Sequence, residues 1–569
     1  MQVRGYVSNR SCSRARWAGD VGTLLLCICC FVATCSPARA QTNAHDEQTS
    51  SLWQVPVSSN QASHFENMNG REVWFVDGSP FTALGAETEW NQIIYPRYKQ
   101  TMRVYDYTYA AAAAMHLNMV KVPVKWSQIE PQEGVYDFSY VDHVRAMAEQ
   151  YHLKITLDWF GHYGSGQGTL YTNKSGSMYA PAWVIEDTKR FPRAVDGDGI
   201  THDNAASYDS PAIIQVESAA FAAFMQHVRN VDGRTHTFIA IQVENEIAVF
   251  GGTDRKTTTY WRDHSPASNR KFSEHGFTDD LKYTAWDYST GWLRSVTDAG
   301  AKAYNLPFLM NFVGGSLESG ITGGSPGEDV RTYLENLPAL TFIGLNNYVD
   351  DPASYSTADF YNALNRYRIG RNLPALTETN SATSAVAERS LFQSVGAFGS
   401  PFFAPWSLIE SYPTENKPYV LQDGDLANGA FALSSAYDLL NRALPAISFW
   451  GGTAHSRVFL APLSGDTFSE TEEMEGIHVT VDGSENGQAI VLQPSKHELI
   501  LIGYRCEITV APASNATWQD LSRVKVEKGT WSKDKWLQDG KPVTARVDDP
   551  SSNSLQIFLP EPQVVRVWW

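Results

Sequence analysis

The sequence predicts an α/β chain in which a (β/α)8 barrel is followed by an antiparallel β-sandwich. Between residues 81 and 406, eight short apolar runs alternate with longer segments whose apolar residues recur at three- and four-residue spacing. That alternation is the mark of parallel strands covered by helices on both faces. From about residue 451 the helical spacing stops, and short alternating runs separated by Gly, Pro, Asn and Asp take over, as in a sandwich. At 569 residues the chain is also too long for one ordinary domain.

Taken in order, the barrel runs are "FTALGA", "NMVKVPV", "LKITLDW", "FIAIQV", "LPFLMNF", "TFIGLNN", "LPALTE" and "SPFFAPW". Helical segments between them include "YVDHVRAMAEQYH", "SAAFAAFMQHVRNV" and "STGWLRSVTDAGAKAYN". Eight such units suggest a closed barrel, with a doubly wound open sheet as the alternative; in both, ligands sit at the carboxyl ends of the strands. Ahead of them, "REVWFVDGSP" reads as a hairpin turning at Asp77-Gly78. Runs such as "GIHVTVDG", "QAIVLQP", "HELILIGY", "CEITVAP" and "QVVRVWW" form the last domain. The expected division is a leader at 1–40, a polar linker or arm at 41–68, a catalytic barrel at 69–450 and a sandwich at 451–569.

The leader carries Arg4, Arg10, Arg14 and Arg16, then the apolar run "VGTLLLCICCFVATC", then "ARA" ending at Ala40, the three parts of a secretory signal. The run is short for a spanning helix, so the expected protein is exported, periplasmic or secreted, without a membrane span. A competing reading makes Cys35 a lipid attachment site. Five of the six cysteines lie in this segment and leave Cys506 alone, so no internal disulfide is expected after export. The formal charge of -17 disfavours nucleic acid and favours a neutral partner. The oligomeric state is not legible.

The chemistry gathers at strand ends. "AIQVENEI" passes from an apolar run into Glu244, Asn245 and Glu246, and the seventh run, "LPALTETN", ends in Glu378. If these are strands four and seven, Glu246 and Glu378 meet over one opening. Retaining glycoside hydrolysis needs such a pair, a nucleophile and an acid/base about 5–5.5 Å apart. A free Glu is ionised near neutrality, and a neighbouring carboxylate raises its pKa and keeps the acid protonated. Aromatic residues near other strand ends, Trp90, Trp126, Trp159, Tyr163, Trp183, Tyr348 and Trp406, suit the C–H faces of sugar rings. Trp406, at the end of the eighth run, is the foremost of them. His162, in the loop after the third run, is a further candidate contact. There is no dinucleotide fingerprint, phosphate loop or nucleophile elbow, and neither His-Glu-x-x-His nor paired Cys spacing, so no cofactor and no metal are expected.

Several of these stretches resemble a known family. "NMVKVPVKWSQIEPQEGVYDF" resembles the second-strand segment of clan A glycoside hydrolases, and "IQVENEI" is similar to the Gln-Val-Glu-Asn-Glu signature of family 35 β-galactosidases. "LDWFGHY", "YAPAWVIEDTKRFPR" and "VEKGTWSKDKW" resemble the bacterial branch of that family. The resemblance implies that Glu246 is the acid/base, Glu378 the nucleophile and Asn245 a contact to the hydroxyl beside the reacting carbon. It places Glu87 in the sugar site and Tyr348 against the nucleophile. It implies a retaining exo-β-glycosidase, most of all a β-galactosidase acting on a carbohydrate substrate. A clan A enzyme of other specificity, a β-glucosidase or endo-glycanase, and a non-catalytic carbohydrate-binding protein are the alternatives. Departures fall in the loops: "GSGQGTLYTNKSGSM" is long, Ala182 stands where that branch often has Glu, and "LNNYVDD" is unlike its usual sixth-strand ending.

Overall fold

The computed structural model describes residues 52–88, 103–162, 178–247, 250, 261–313, 326–348, 357–379, 386–406, 408, 419–420, 425–513, 524–547 and 553–569. The leader with Cys35, the arm up to Ser51, Trp90, Tyr163 and nearly all of the long loop after the third run lie outside the described residues.

The chain begins with a three-stranded antiparallel sheet, β1 (His64–Met68), β2 (Arg71–Val76) and β3 (Ser79–Pro80). Asp77 and Gly78 have φ of 51° and 79°, so both central residues of the expected turn are left-handed, as a type I′ hairpin requires. The segment His64–Met68, which the sequence places in the polar arm, is instead a strand paired along its length with β2. Its side chains are mostly half-buried rather than apolar, which is why its composition reads as linker.

Eight parallel strands then close a TIM barrel in chain order: β4 (Ala83–Glu87), β5 (Met119–Lys125), β6 (Lys154–Phe160), β9 (Phe238–Val243), β10 (Phe308–Val313), β11 (Leu340–Asn346), β12 (Ala375–Thr379) and β13 (Phe402–Pro405). A small ribbon, β7 (Arg193–Val195) with β8 (Thr201–Ala206), is inserted between β6 and β9. Closure comes from β13 pairing with β4, Phe402 opposite Ala83 and Phe403 opposite Leu84. All eight apolar runs are therefore barrel strands, and the open-sheet alternative falls. Outward-facing residues such as Ile155, Leu157, Ile241 and Val243 pack with the surrounding helices in the main core. At the amino-terminal ends of the strands, Ala83, Met119, Ile239, Phe342, Ala375 and Phe402 form a separate cluster with Phe65, Trp74 and Val76 of the first sheet. Trp74 Nε1 donates to Ser63 Oγ at 2.8 Å, and Ser63 donates onward to the Ile239 carbonyl at 2.5 Å. The first sheet thus plugs one end of the barrel and leaves polar chemistry to the other.

The carboxyl-terminal domain is one nine-stranded antiparallel sheet made of β14 (Ser456–Leu460), β15 (Phe468–Met474), β16 (Ile477–Ser495), β17 (Glu498–Pro512), β18 (Lys525–Ser532), β19 (Lys535–Gln538), β20 (Ala545–Val547), β21 (Leu555–Leu559) and β22 (Gln563–Trp568). What the sequence divides into four short runs is two long strands. The first half of β16 pairs with β15 and the second with β14, while the first half of β17 pairs with β22 and the second with β21. The register breaks between Gly483 and Gln488, and Asn486 and Arg505 sit at positive φ nearby, so each strand bends there. Val479 and Ile508 from one half meet Val491, Leu501 and Val565 from the other in a single cluster. The expected sandwich is a continuous sheet doubled on itself. Alternate residues of the second half, Ile490, Leu492, Ile500, Ile502 and Val564, belong to the barrel core. Both faces of that half are covered, which explains its unbroken apolar sequence. Among the described residues no helix is long and apolar enough to cross a membrane.

Candidate active site

Polar side chains interrupt the barrel strands at one level: Lys121 on β5, Asp158 on β6, Gln242 on β9, Asn311 on β10, Asn346 on β11, Glu378 on β12 and Glu87 at the end of β4. All are buried. A buried charge persists only when paired and hydrogen-bonded, and here the partners are one another. Lys121 Nζ lies 3.3 Å from Glu87 Oε2, 3.3 Å from Asp158 Oδ2 and 3.3 Å from Glu378 Oε1. Burial would lower the Lys121 pKa, but the three carboxylates more than reverse it and keep the ammonium charged. Burial pushes Glu87 well above the carboxylate range against the pull of Lys121, with Glu378 and Asp158 adding to the rise. Asp158 is likewise pushed up to about 7, chiefly by burial. Asp158 Oδ1 accepts from Gln242 Nε2 at 2.9 Å.

After β9 the backbone enters a strained turn. Glu244 and Glu246 have φ of 62° and 48°, a region that costs a non-glycine residue about 1–3 kcal/mol and is held only where surroundings over-determine it. Glu244 N donates to the Trp159 carbonyl at 2.8 Å. Asn245 Oδ1 accepts from Asn311 Nδ2 at 2.6 Å and from Gln242 Nε2 at 3.1 Å. Glu246 N donates to Asn311 Oδ1 at 2.9 Å, and Glu246 Oε1 accepts from Asn346 Nδ2 at 2.8 Å. Asn346 is in turn oriented by Thr377 Oγ1, which donates to its Oδ1 at 2.8 Å.

Glu378 faces the same cluster. Its Oε1 accepts from Asn311 Nδ2 at 3.0 Å and from Lys121, and its Oε2 accepts from the Tyr348 hydroxyl. Tyr348 leaves 38% of its surface exposed. Burial of its hydroxyl and the nearby Glu378 and Glu246 charges raise the phenol well above its ordinary pKa, so it remains a donor. The structure therefore brings together Asn245, Glu246, Tyr348 and Glu378. Glu87 joins them through Lys121, as a buried counter-charge rather than on an open surface. Trp406 is half-buried beyond β13 and packs beside Phe160 and Tyr179.

Two expected contacts lie elsewhere. Trp159 is fully buried on the outer face of β6, its ring 5.1 Å from Phe221 and 5.2 Å from Phe224 of the helix Pro211–Asp232. Strand alternation puts its neighbour Asp158 inside, so Trp159 points out. His162 is also fully buried and bonds to Glu217 of that same helix. Trp126 is core as well: its indole donates to Glu130 Oε2 at 2.8 Å and meets Trp183 edge-on. Sequence reasoning missed Lys121, Asp158, Asn311, Asn346 and Glu217. Each had a signal, a polar residue set within an otherwise apolar strand or helix face.

His162, Glu217 and Glu244 place one possible ligand atom each within 4.8 Å of one another. Glu217 Oε2 accepts from Trp292 Nε1 at 2.8 Å, and both oxygens of Glu244 accept from Gly161 N at 3.1 Å.

Residues 95–249 match the glycoside hydrolase family 42 model, β-galactosidase. The match is well short of half the chain, ends just past the strained turn, and is to family 42 where the motifs resemble family 35. No curated protein matches the chain. A β-galactosidase from the psychrophilic Marinomonas ef1 is similar over 66% of this chain and 62% of its own length, with 10% identity and a TM-score of 0.45. The exo-β-1,4-mannosidase Op5Man5 from Opitutaceae bacterium strain TAV5 covers 65% and 61%, with 14% identity and a TM-score of 0.42. The catalytic domain of a Paenibacillus polymyxa β-amylase covers 62% and 98%, with 9% identity and a TM-score of 0.45. No residue role passes from these structures to this chain.

Proposed function

We propose that the protein is an exported retaining β-glycosidase in which Glu378 is the nucleophile and Glu246 the acid/base, with a terminal β-galactoside as its substrate. The observation that carries the reading is the Asn311 carboxamide, which holds the Glu246 backbone through one end and the Glu378 carboxylate through the other. Glu246 and Glu378 come from strands far apart in sequence and are tied into one hydrogen-bonded cluster. The matched β-galactosidase model covers the segment that supplies Glu246 and supports galactose as the leading sugar.

Roles follow from the partners. Glu378 is met by an ammonium, a carboxamide and a phenol, all donors, which suit an ionised carboxylate. In the first step a Glu378 oxygen bonds to the anomeric carbon, the bond from that carbon to the glycosidic oxygen breaks, and Glu246 gives that oxygen its proton. Glu246 then takes a proton from water, whose oxygen displaces Glu378 from the anomeric carbon. Asn245, fixed by Asn311 and Gln242, has its amide nitrogen available to a sugar hydroxyl. No metal or cofactor takes part in either displacement.

A panel of nitrophenyl glycosides, galactoside, glucoside, mannoside and others, run on wild type, Glu378→Ala and Glu246→Ala tests this. Glu378→Ala loses about 10³-fold or more of kcat/KM on the preferred sugar, and azide restores it with product of inverted configuration; Glu246→Ala also loses most turnover, least on substrates with good leaving groups. Wild-type turnover in both variants would sink the assignment, and preference for another glycoside would sink the galactoside alone.

A further inference from the structure

The motif holds a second carboxylate that the two displacements do not use. Glu244 is buried, yet it does not face the cluster that Asn245 and Glu246 enter. Its carboxyl turns behind the barrel wall, where Gly161 N lies 3.1 Å from each oxygen and Glu217 of the helix Pro211–Asp232 shares a hydrogen bond with it. Glu217 also accepts from Trp292 of the helix Trp292–Ala303 at 2.8 Å and from His162. Two carboxylates in contact in a dry site cannot both ionise, so one proton must sit between them.

Its location follows from the surroundings. Glu217 would be raised by burial, but the adjacent His162, the Glu244 hydroxyl and the Trp292 indole together hold it low. Glu244 is raised well above the carboxylate range, first by burial and then by Glu217, with Asp158 adding to the rise. Tyr208, also fully buried nearby, keeps its proton. The space for the pair exists because residue 161 is glycine: a Cβ there would lie 1.9 Å from Glu217 Oε1 and 2.3 Å from Glu244 Oε1.

We infer that Glu244 is a positioning residue: its protonated carboxyl, hydrogen-bonded to Glu217 outside the barrel, clamps the left-handed turn that presents Asn245 and Glu246 to the substrate. Asn311 and Gln242 hold the turn from within, and the Glu244–Glu217 bond holds it from without. The inference rests on Glu246 being the acid/base. Losing the clamp therefore harms proton transfer to the leaving group and spares a first displacement that needs no acid.

The test uses the full chain and two aryl galactosides, one with a good leaving group (2,4-dinitrophenyl) and one with a poor one (phenyl). Glu246→Gln sets the reference, losing about 10²-fold or more of kcat/KM on the phenyl substrate and far less on the dinitrophenyl one, because kcat/KM reports the first displacement alone. Glu244→Leu shows the same asymmetry in kcat/KM, about tenfold or more on phenyl and within about threefold on dinitrophenyl, while kcat and KM on dinitrophenyl fall together because water attack loses its base. Glu244→Gln keeps an O for Gly161 and an N–H for Glu217, and restores kcat on both to within about threefold of wild type. An equal loss of kcat/KM on both substrates in Glu244→Leu would overturn the clamp, as would a Glu244→Gln variant as impaired as Glu246→Gln. If Glu244→Leu loses its near-UV dichroism, Glu244→Gln decides alone, because a working ionised Glu244 could not be replaced by a neutral amide. A flat leaving-group dependence in Glu246→Gln itself would overturn the glycosidase reading and the clamp with it.

Discussion

Asn311 donates to Glu378 through a 3.0 Å hydrogen bond from Nδ2 to Oε1, and its other amide atom accepts from the Glu246 backbone at 2.9 Å. One side chain on the fifth barrel strand thus ties the Glu378 carboxylate of the seventh to the backbone that carries Glu246 after the fourth. Asn311→Ala frees both, and kcat is expected to fall about 10–100-fold because small misplacements of reacting groups are costly. Asn311→Asp should be worse, since it sets a carboxylate against Glu378 and Asn245 Oδ1. Steady-state kinetics with a matched melting curve check this. An Asp variant as active as wild type would refute it.

Lys121 Nζ lies 3.3 Å from each of three buried carboxyl groups, Glu87, Asp158 and Glu378. Removing one partner of a buried pair costs about 3–5 kcal/mol unless the remaining acids take up protons. In Lys121→Met the pKa values of Glu87 and Asp158, already raised by burial, are raised further above their unfolded values, so stability is present at low pH and is lost as pH rises. The melting temperature is expected to fall more at about pH 8 than at about pH 5. An equal fall at both pH values would mean that packing, not charge, holds Lys121 in place.

Glu388, on the helix Val386–Phe392, accepts from Tyr504 of β17 where barrel and sheet domain meet. Burial pushes its carboxyl from 4.5 up to about 7. A raised folded-state pKa means that the folded protein binds more protons, so this contribution is complete below about pH 4.5 and is lost as pH rises through about 7. At 1.36 kcal/mol per pKa unit the full swing is on the order of 3 kcal/mol. Glu388→Gln should flatten the stability profile between those limits and melt higher than wild type above about pH 7.5. Chemical denaturation across that range measures it, and a parallel profile would refute it.

The eight strands were legible because a parallel barrel buries both faces of each strand, and long apolar runs announce that. Glu246 and Glu378 were legible because each ends such a run. Glu244 was not, for a specific reason. Continuing the alternation of β9 from Gln242 would put Glu244 and Glu246 together on the inner face. Left-handed φ at both residues sends Glu244 outward to Glu217 and the next two side chains inward. Trp159 is the reverse case, since Asp158 marks the inner face of β6 and fixes Trp159 on the outer one. The doubling of the last sheet was hidden because local patterning does not tell one bent strand from two short ones.

Trp406 and Trp159 separate the two uses of tryptophan in this chain. Trp406 is half-buried just past β13, its backbone N–H held by the Thr379 carbonyl at 3.2 Å, one residue beyond Glu378 on the neighbouring strand. A half-exposed indole at that place suits the C–H face of a sugar. Trp406→Ala is expected to raise KM several-fold with little change in melting temperature. Trp159 is fully buried against Phe221 and Phe224, and truncating a core tryptophan costs about 3–5 kcal/mol. Trp159→Ala should therefore lower the melting temperature sharply while the folded fraction keeps its KM. Measuring KM and melting temperature for both variants decides between them: a raised KM in Trp159→Ala, or a collapsed melting temperature in Trp406→Ala, would mean that the two rings have been assigned to the wrong sides of the barrel wall.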